Sequence, residues 1–182
     1  QYIADGIKIK AAEADAMYAG IVIDTNNFTN QTGVRTFEAA AFLRRNGADV
    51  TRVRKLFRDD MQDYKARAAA ISSAEIYREA FSIGVCPSEG LPSPTIVCAQ
   101  AANELLEIKG IKASVVMTEY HGLIYLSARS IDEVNVQVMM EKLGGGGHRT
   151  IAGAQLSGIS MEEAKDRVKA VIDEMLQKGD IS

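Results

Sequence analysis

Leu143-Gly144-Gly145-Gly146-Gly147-His148-Arg149 is the stretch from which this chain of 182 residues is best read. Glycine loses more backbone freedom on ordering than any other residue and packs no side chain. Four in succession between patterned segments therefore mark either positive φ or bare backbone held close to something. Successive N–H groups turned the same way form a concavity for anions, and phosphate is the usual guest. His148 and Arg149 add a hydrogen-bonding ring and a fixed positive charge. The competing reading is a flexible linker. Such linkers usually mix Gly with Ser, so the phosphate cradle is carried forward.

Working outward, residues 133–143 read as a helix lined by Val134, Val138, Met139 and Leu143. Ala152 to Ser157 returns as a strand. A capping box at Ser160 and Glu163 then opens a helix that buries Ala164, Val168, Val171, Ile172 and Met175. Upstream, the β-rich runs Ala113–Thr118 and Leu123–Arg129 flank Glu119-Tyr120-His121-Gly122, a hairpin with a four-residue loop and His121 at its tip. Alternation puts Ser127 and Arg129 on one strand face. A hydroxyl beside a guanidinium suits phosphate; an exposed edge with an ordinary ion pair is the alternative, and spacing alone leans towards it.

The first third is patterned differently. Ile3, Ile7, Ala11, Ala14 and Tyr18 lie near helical spacing, and Gly20 breaks that helix. Ile21-Val22-Ile23 reads as a short strand buried on both faces, which places Asp24 at its carboxyl end. Ligands gather there in open α/β sheets. Asp24 is thus a metal ligand or general base, or else a cap for the turn Asp24-Thr25-Asn26-Asn27; the two readings stand level. After a polar loop over 28–35, Thr36 caps a helix that stops at Gly47, and Asp49 caps another with Val53, Leu56 and Phe57 inside. Arg52, Arg54, Lys55 and Arg58 make a solvated face, since no aromatic platform accompanies them. Residues 60–79 form a long uninterrupted helix joining two units, with domains at 1–62 and 63–182. Phe81–Val85 then alternates as a half-buried strand. Ser93 and Pro94 open a helix with Cys98, Ala101, Ala102, Leu105 and Leu106 inside, ending at Gly110.

A hydrophobic content of 47% and a charged content of 25% are those of ordinary globular proteins. The net charge of −3 argues against sequence-blind binding to long duplex nucleic acid and leaves room for a short nucleotide. Cys86 and Cys98 lack metal spacing and fit reduced thiols in a cytosolic setting. No apolar run approaches the roughly 18 residues of a membrane span. The chain starts at Gln1 and reads as a piece of a longer protein.

Gly-Gly-Gly-Gly-His at 144–148, preceded by Ser127-Ala128-Arg129-Ser130 and by Val134-Asn135-Val136, resembles the DHH-associated domain, which follows the DHH phosphoesterase domain in RecJ-like proteins. Gly20-Ile21-Val22-Ile23-Asp24-Thr25, with Thr32 to Ala40, resembles the end of the DHH domain itself, in the form found in GdpP-type cyclic-di-AMP phosphodiesterases. The resemblance implies an α/β fold: the C-terminal remnant of a DHH domain, joined by a long helix to a smaller DHH-associated α/β domain with a mixed sheet. It implies hydrolysis of phosphodiester bonds with two manganese ions. Asp24 matches the last metal-binding aspartate, a partial site. Ser127, Arg129, Gly144, Gly145, Gly146, Gly147 and His148 match the substrate-binding face.

The Asp-His-His motif and the earlier histidine–aspartate motif are absent, and His121 and His148 are the two histidines. The resemblance therefore implies a catalytically incomplete piece that hydrolyses nothing alone. The substrate class that the resemblance implies is a cyclic dinucleotide, cyclic-di-AMP, cut to linear pApA. Alternatives are a RecJ-like exonuclease or nanoRNA phosphodiesterase acting on short RNA, and a non-catalytic nucleotide-binding module. The truncated lobe, with an open sheet edge, invites a homodimer. The resemblance also implies a piece on the cytoplasmic side, with membrane anchoring through upstream segments.

Overall fold

The computed structural model describes residues 8–29, 32–131 and 133–179. Ile3 and Ile7 of the expected first helix, and Asn30 and Gln31 of the polar loop, lie outside the described residues. The chain divides into two compact units, Gln1–Asp59 and Asp60–Ser182.

The described part of the first unit is helical: α1 (Ala11–Asp24), α2 (Val34–Arg45) and α3 (Val50–Leu56). Ala14, Leu43 and Ala48 form its buried centre, with Tyr18, Ile21 and Phe42 packed around them. The strand expected at Ile21-Val22-Ile23 is instead the last turn of α1. Ala14, Tyr18 and Ile21 keep the i, i+4, i+7 spacing straight through Gly20, so the apolar stripe outweighs both the glycine and the β-branched run. The open sheet edge expected of this lobe therefore has no counterpart among the described residues. Gly33 rather than Thr36 caps α2. Asp49 caps α3, accepting from the amides of Thr51 and Arg52. Asp15 ties α1 to α3 by accepting from the Asp49 amide at 2.6 Å and from Arg52 Nε at 2.7 Å.

The second unit is a six-stranded mixed sheet. Its strands are β1 (Glu75–Tyr77), β2 (Phe81–Val85), β3 (Ala113–Tyr120), β4 (Leu123–Ser130), β5 (Gly146–Gly147) and β6 (Ile151–Ser157), in the order β1-β2-β3-β4-β6-β5. Only β2 and β3 pair in parallel, and the crossover between them carries α5 (Pro94–Leu105). One sheet face packs on α6 (Val136–Glu141) and α7 (Met161–Lys178) through Val115, Met117, Leu126, Met139, Ile172 and their neighbours. The other packs on α4 (Met61–Ser72) and α5 through Ala70, Val97, Cys98, Ala102, Leu105 and Val116.

Burial on both faces is why Phe81, Ser82, Ile83 and Gly84 are all buried, where alternation suggested a half-buried strand. The long helix expected over 60–79 ends at Ser72. The chain turns into β1, and Arg78, Glu79 and Ala80 make the hairpin to β2, the first two at positive φ (48° and 62°). A tighter hairpin joins β3 and β4 through two residues, His121 (φ 51°) and Gly122 (φ 74°), rather than four, the geometry of a type I′ turn.

Candidate binding cleft

Strand alternation and register lay out the sheet face beside α5 in rows. Thr118, Tyr125 and Gln155 are directly opposite one another across β3, β4 and β6. The next row is Val116, Ser127, Gly153 and Gly146, followed by Ser114, Arg129 and Ile151. A cleft of about 500 Å³ opens over the first two rows. Its floor includes Tyr125, Ser127, Gly153 and Gln155, with Thr95 from the first turn of α5 and Gly144 and Gly145 at its sides.

The glycine run is built for close approach. Gly144 (φ 80°) ends α6 in a Schellman motif: its amide bonds to Glu141 O at 3.0 Å, and the Gly145 amide bonds to Met140 O at 2.8 Å. A Cβ on Gly145 would lie 2.1 Å from Gly153 O, and one on Gly147 would lie 2.5 Å from the Ala152 Cα. Bare backbone is thus required where the run lies against β6. At the edge the His148 amide bonds to Ile151 O at 2.7 Å, closing a tight turn to β6. The 148–151 pair is hydrogen-bonded, so antiparallel alternation directs Gly147's N–H away from β6. The amides of Gly144, Gly145 and His148 are therefore spent on the chain's own carbonyls, and an open cradle of four N–H groups does not form. Neither is the run a linker; it is a helix stop followed by an edge strand.

Of the residues expected to face substrate, Ser127, Gly144 and Gly145 meet at the cleft. Arg129 shares Ser127's strand face outside the lining, where Nε donates to Asn103 Oδ1 at 2.9 Å and Nη1 to Ala128 O at 2.9 Å. Burial lowers its pKa from the usual guanidinium value. His148 is exposed in the edge turn, also outside the lining. Ser127 underlies α5, where its hydrogen bonds oppose the burial that pushes the Cys98 thiol up to about 12. The first turn of α5 has Pro94 at its start and takes no side-chain cap from Ser93. Pro94 has no N–H and the Ile96 amide bonds Ser93 O at 3.0 Å, which leaves the Thr95 amide as this turn's donor towards an anion.

Tyr125, Gly153, Gln155 and Thr95 were not singled out from sequence. Tyr125 and Gln155 carried a readable signal: they are in phase with Ser127 and Gly153 on their strands. A lone Gly inside a strand, Gly153, signals close backbone approach.

Asp24 is the exposed last residue of α1. Thr25 performs the capping, donating to Ile21 O at 2.7 Å and accepting from the Phe28 amide at 2.9 Å. Asn26, Asn27 and Phe28 follow at φ 45°, 57° and 66°. Phe28 stacks on Phe37 with centroids 5.6 Å apart. Among the described residues no group of three or more His, Cys, Asp or Glu is placed to hold a metal. Asp24 stands alone, and these residues do not by themselves fit a two-ion centre.

Residues 93–178 match the DHHA1 domain. The chain is 41% identical over 181 residues to the cyclic-di-AMP phosphodiesterase GdpP of Bacillus subtilis, an alignment covering 98% of this chain and 28% of that protein. It is likewise 41% identical over 174 residues to the cyclic-di-AMP phosphodiesterase PdeA of Listeria monocytogenes, covering 95% of this chain and 26% of that protein. The fold is shared with an exopolyphosphatase-related protein from Bacteroides fragilis, at a TM-score of 0.82 and 21% identity over 92% of this chain and 51% of that one. The chain belongs to the DHH/DHH-associated-domain family. It spans little more than a quarter of the length of the curated relatives it matches.

Proposed function

We propose that this chain is the substrate-binding part of a metal-dependent phosphodiesterase that opens cyclic-di-AMP to linear pApA. The cleft beside α5 carries the reading: a hydroxyl, an aromatic ring, bare glycine backbone and an uncapped helix start converge on one concavity, in a chain 41% identical to proteins named for that reaction. Ser127 and the start of α5 suit a phosphate, and Gly144 and Gly145 let the nucleotide approach backbone. Arg129 supplies positive charge from the same strand face. Gly146, Gly147 and His148 form the edge beyond, with one outward N–H at Gly147. Holding the non-reacting half of the substrate converts binding energy into positioning of the reacting bond.

Asp24 supplies one ligand to manganese in the longer protein. Two features support this role. Its carboxylate sits at the negative end of α1, where a carboxylate costs roughly 0.3–1 kcal/mol, and it takes no hydrogen bond from the described residues. Three consecutive left-handed residues follow it, a strain typical of functional turns. The chain alone is inactive in this reading.

The test is manganese-dependent cleavage of cyclic-di-AMP by the longer protein with and without Asp24→Ala. Turnover should vanish in the variant while pApA binding to the second unit persists. Unchanged turnover would remove Asp24 from the metal site. Comparing cyclic-di-AMP with short linear RNA separates this activity from an exonuclease.

A further inference from the structure

Resting on that nucleotide-binding reading, we infer that Gln155 is the residue that selects the base, favouring adenine over guanine, with Tyr125 as the platform on which the base stacks. Gln155 and Tyr125 are directly opposed across β4 and β6, which brings their Cβ atoms within about 5.5 Å of each other. Both line the cleft. Tyr125 is half-buried, its ring steadied against Tyr120 with centroids 6.4 Å apart, while Gln155 is exposed. Gly153, two residues before Gln155 on the same face, leaves the floor bare beside the ring.

The polar groups of this row have no competing use. The Gln155 carboxamide makes no hydrogen bond with the described residues. At the row's inner end, the fully buried Thr118 hydroxyl also lacks a partner among them. A carboxamide offers an acceptor and a donor side by side. Adenine presents the matching pair, N6–H beside N7, whereas guanine presents two acceptors, O6 and N7, on that edge. The stacking face is indifferent to the base, because every base has a π-face. Platform and selector are thereby separate residues with separable effects.

Calorimetric titration of the 182-residue chain with pApA and with pGpG tests this. The unsubstituted chain should bind pApA more tightly than pGpG by on the order of tenfold. Gln155→Leu should bring the two within about twofold, mainly by weakening pApA. Tyr125→Leu should weaken both by about fivefold or more and leave their ratio unchanged. Equal affinities in the unsubstituted chain, or a preference that survives Gln155→Leu, would overturn the assignment while leaving nucleotide binding intact. Failure of both dinucleotides to bind would instead remove the nucleotide reading on which it rests.

Discussion

Among its described residues the first unit buries little: Ala14, Leu43 and Ala48 are its apolar centre, Val53 is buried on α3, and Ile23, Val34 and Phe37 stay exposed. Polar ties supplement that centre, with Asp15 accepting from Arg52 and from the Asp49 amide. The second unit covers a six-stranded sheet on both faces, with Phe81, Leu105, Met117, Met139, Met140 and Ile172 almost wholly removed from water. Each such side chain contributes roughly 1.5–3 kcal/mol. The difference separates the two halves of the proposed function. The cleft is held by a scaffold able to fix its geometry in advance, whereas Asp24 ends a helix on a lightly packed unit.

The sharpest way to break this contrast is to truncate the small core. Leu43→Ala should cost about 2–5 kcal/mol, enough to abolish amide protection in α1 and α2 while β3 and β4 keep theirs. If hydrogen exchange showed both units losing protection together, their stabilities would not be separate.

A smaller effect tests the glycine run. Gly145→Ala should destabilise the second unit by about 1–3 kcal/mol, because its Cβ meets the Gly153 carbonyl. Gly146→Ala meets open space and should stay within about 0.5 kcal/mol. Denaturant midpoints of the two variants compare close approach with flexibility directly.

Acid should act first on the polar ties of the first unit. The Arg52 side chain, and after it the Asp49 amide, hold the Asp15 carboxyl below its usual range. A depressed folded pKa means stability that is complete above the unfolded value of about 3.9 and lost as pH falls through the lower folded value. Protection of the α3 amides should therefore be level from neutral pH to about 5 and decline below about 4, with Asp15→Asn flattening that decline.

The smallest effect is chemical. Burial pushes the Cys86 thiol to about 11 and Cys98 to about 12, so native protein at neutral pH should resist thiol reagents until it unfolds.

Much of the second unit was legible in its sequence. The Ser160–Glu163 capping box and all five inner residues of α7 stand where periodicity put them, because a long amphipathic helix carries its signal in many residues at once. The helical stripe of α5 was equally plain at Cys98, Ala101, Ala102 and Leu105, although the helix ends at Leu105, short of Gly110, with Leu106 as its C-cap. What could not be read was local. The hairpin at Arg78 and Glu79 uses left-handed residues that are neither Gly nor Asn, stabilised from afar as Arg78 and the Tyr77 hydroxyl both bond Asp173. Ile21-Val22-Ile23 has strand propensity but no partner strand among the described residues. The glycine run suggests free amides, while its decisive property is the absence of Cβ atoms against β6, a neighbour no local pattern reveals. Ser127 was legible by alternation; Gln155 becomes significant only once β6 is placed beside β4.

The central claim is that the cleft beside α5, rather than the glycine turn alone, receives the nucleotide. Titrating pApA into the isotope-labelled chain and following backbone amide signals tests it most directly. The largest shifts are expected at Thr95, Tyr125, Ser127, Gly144, Gly153 and Gln155. Shifts confined to His148 and Arg149, with the cleft amides unmoved, would contradict it.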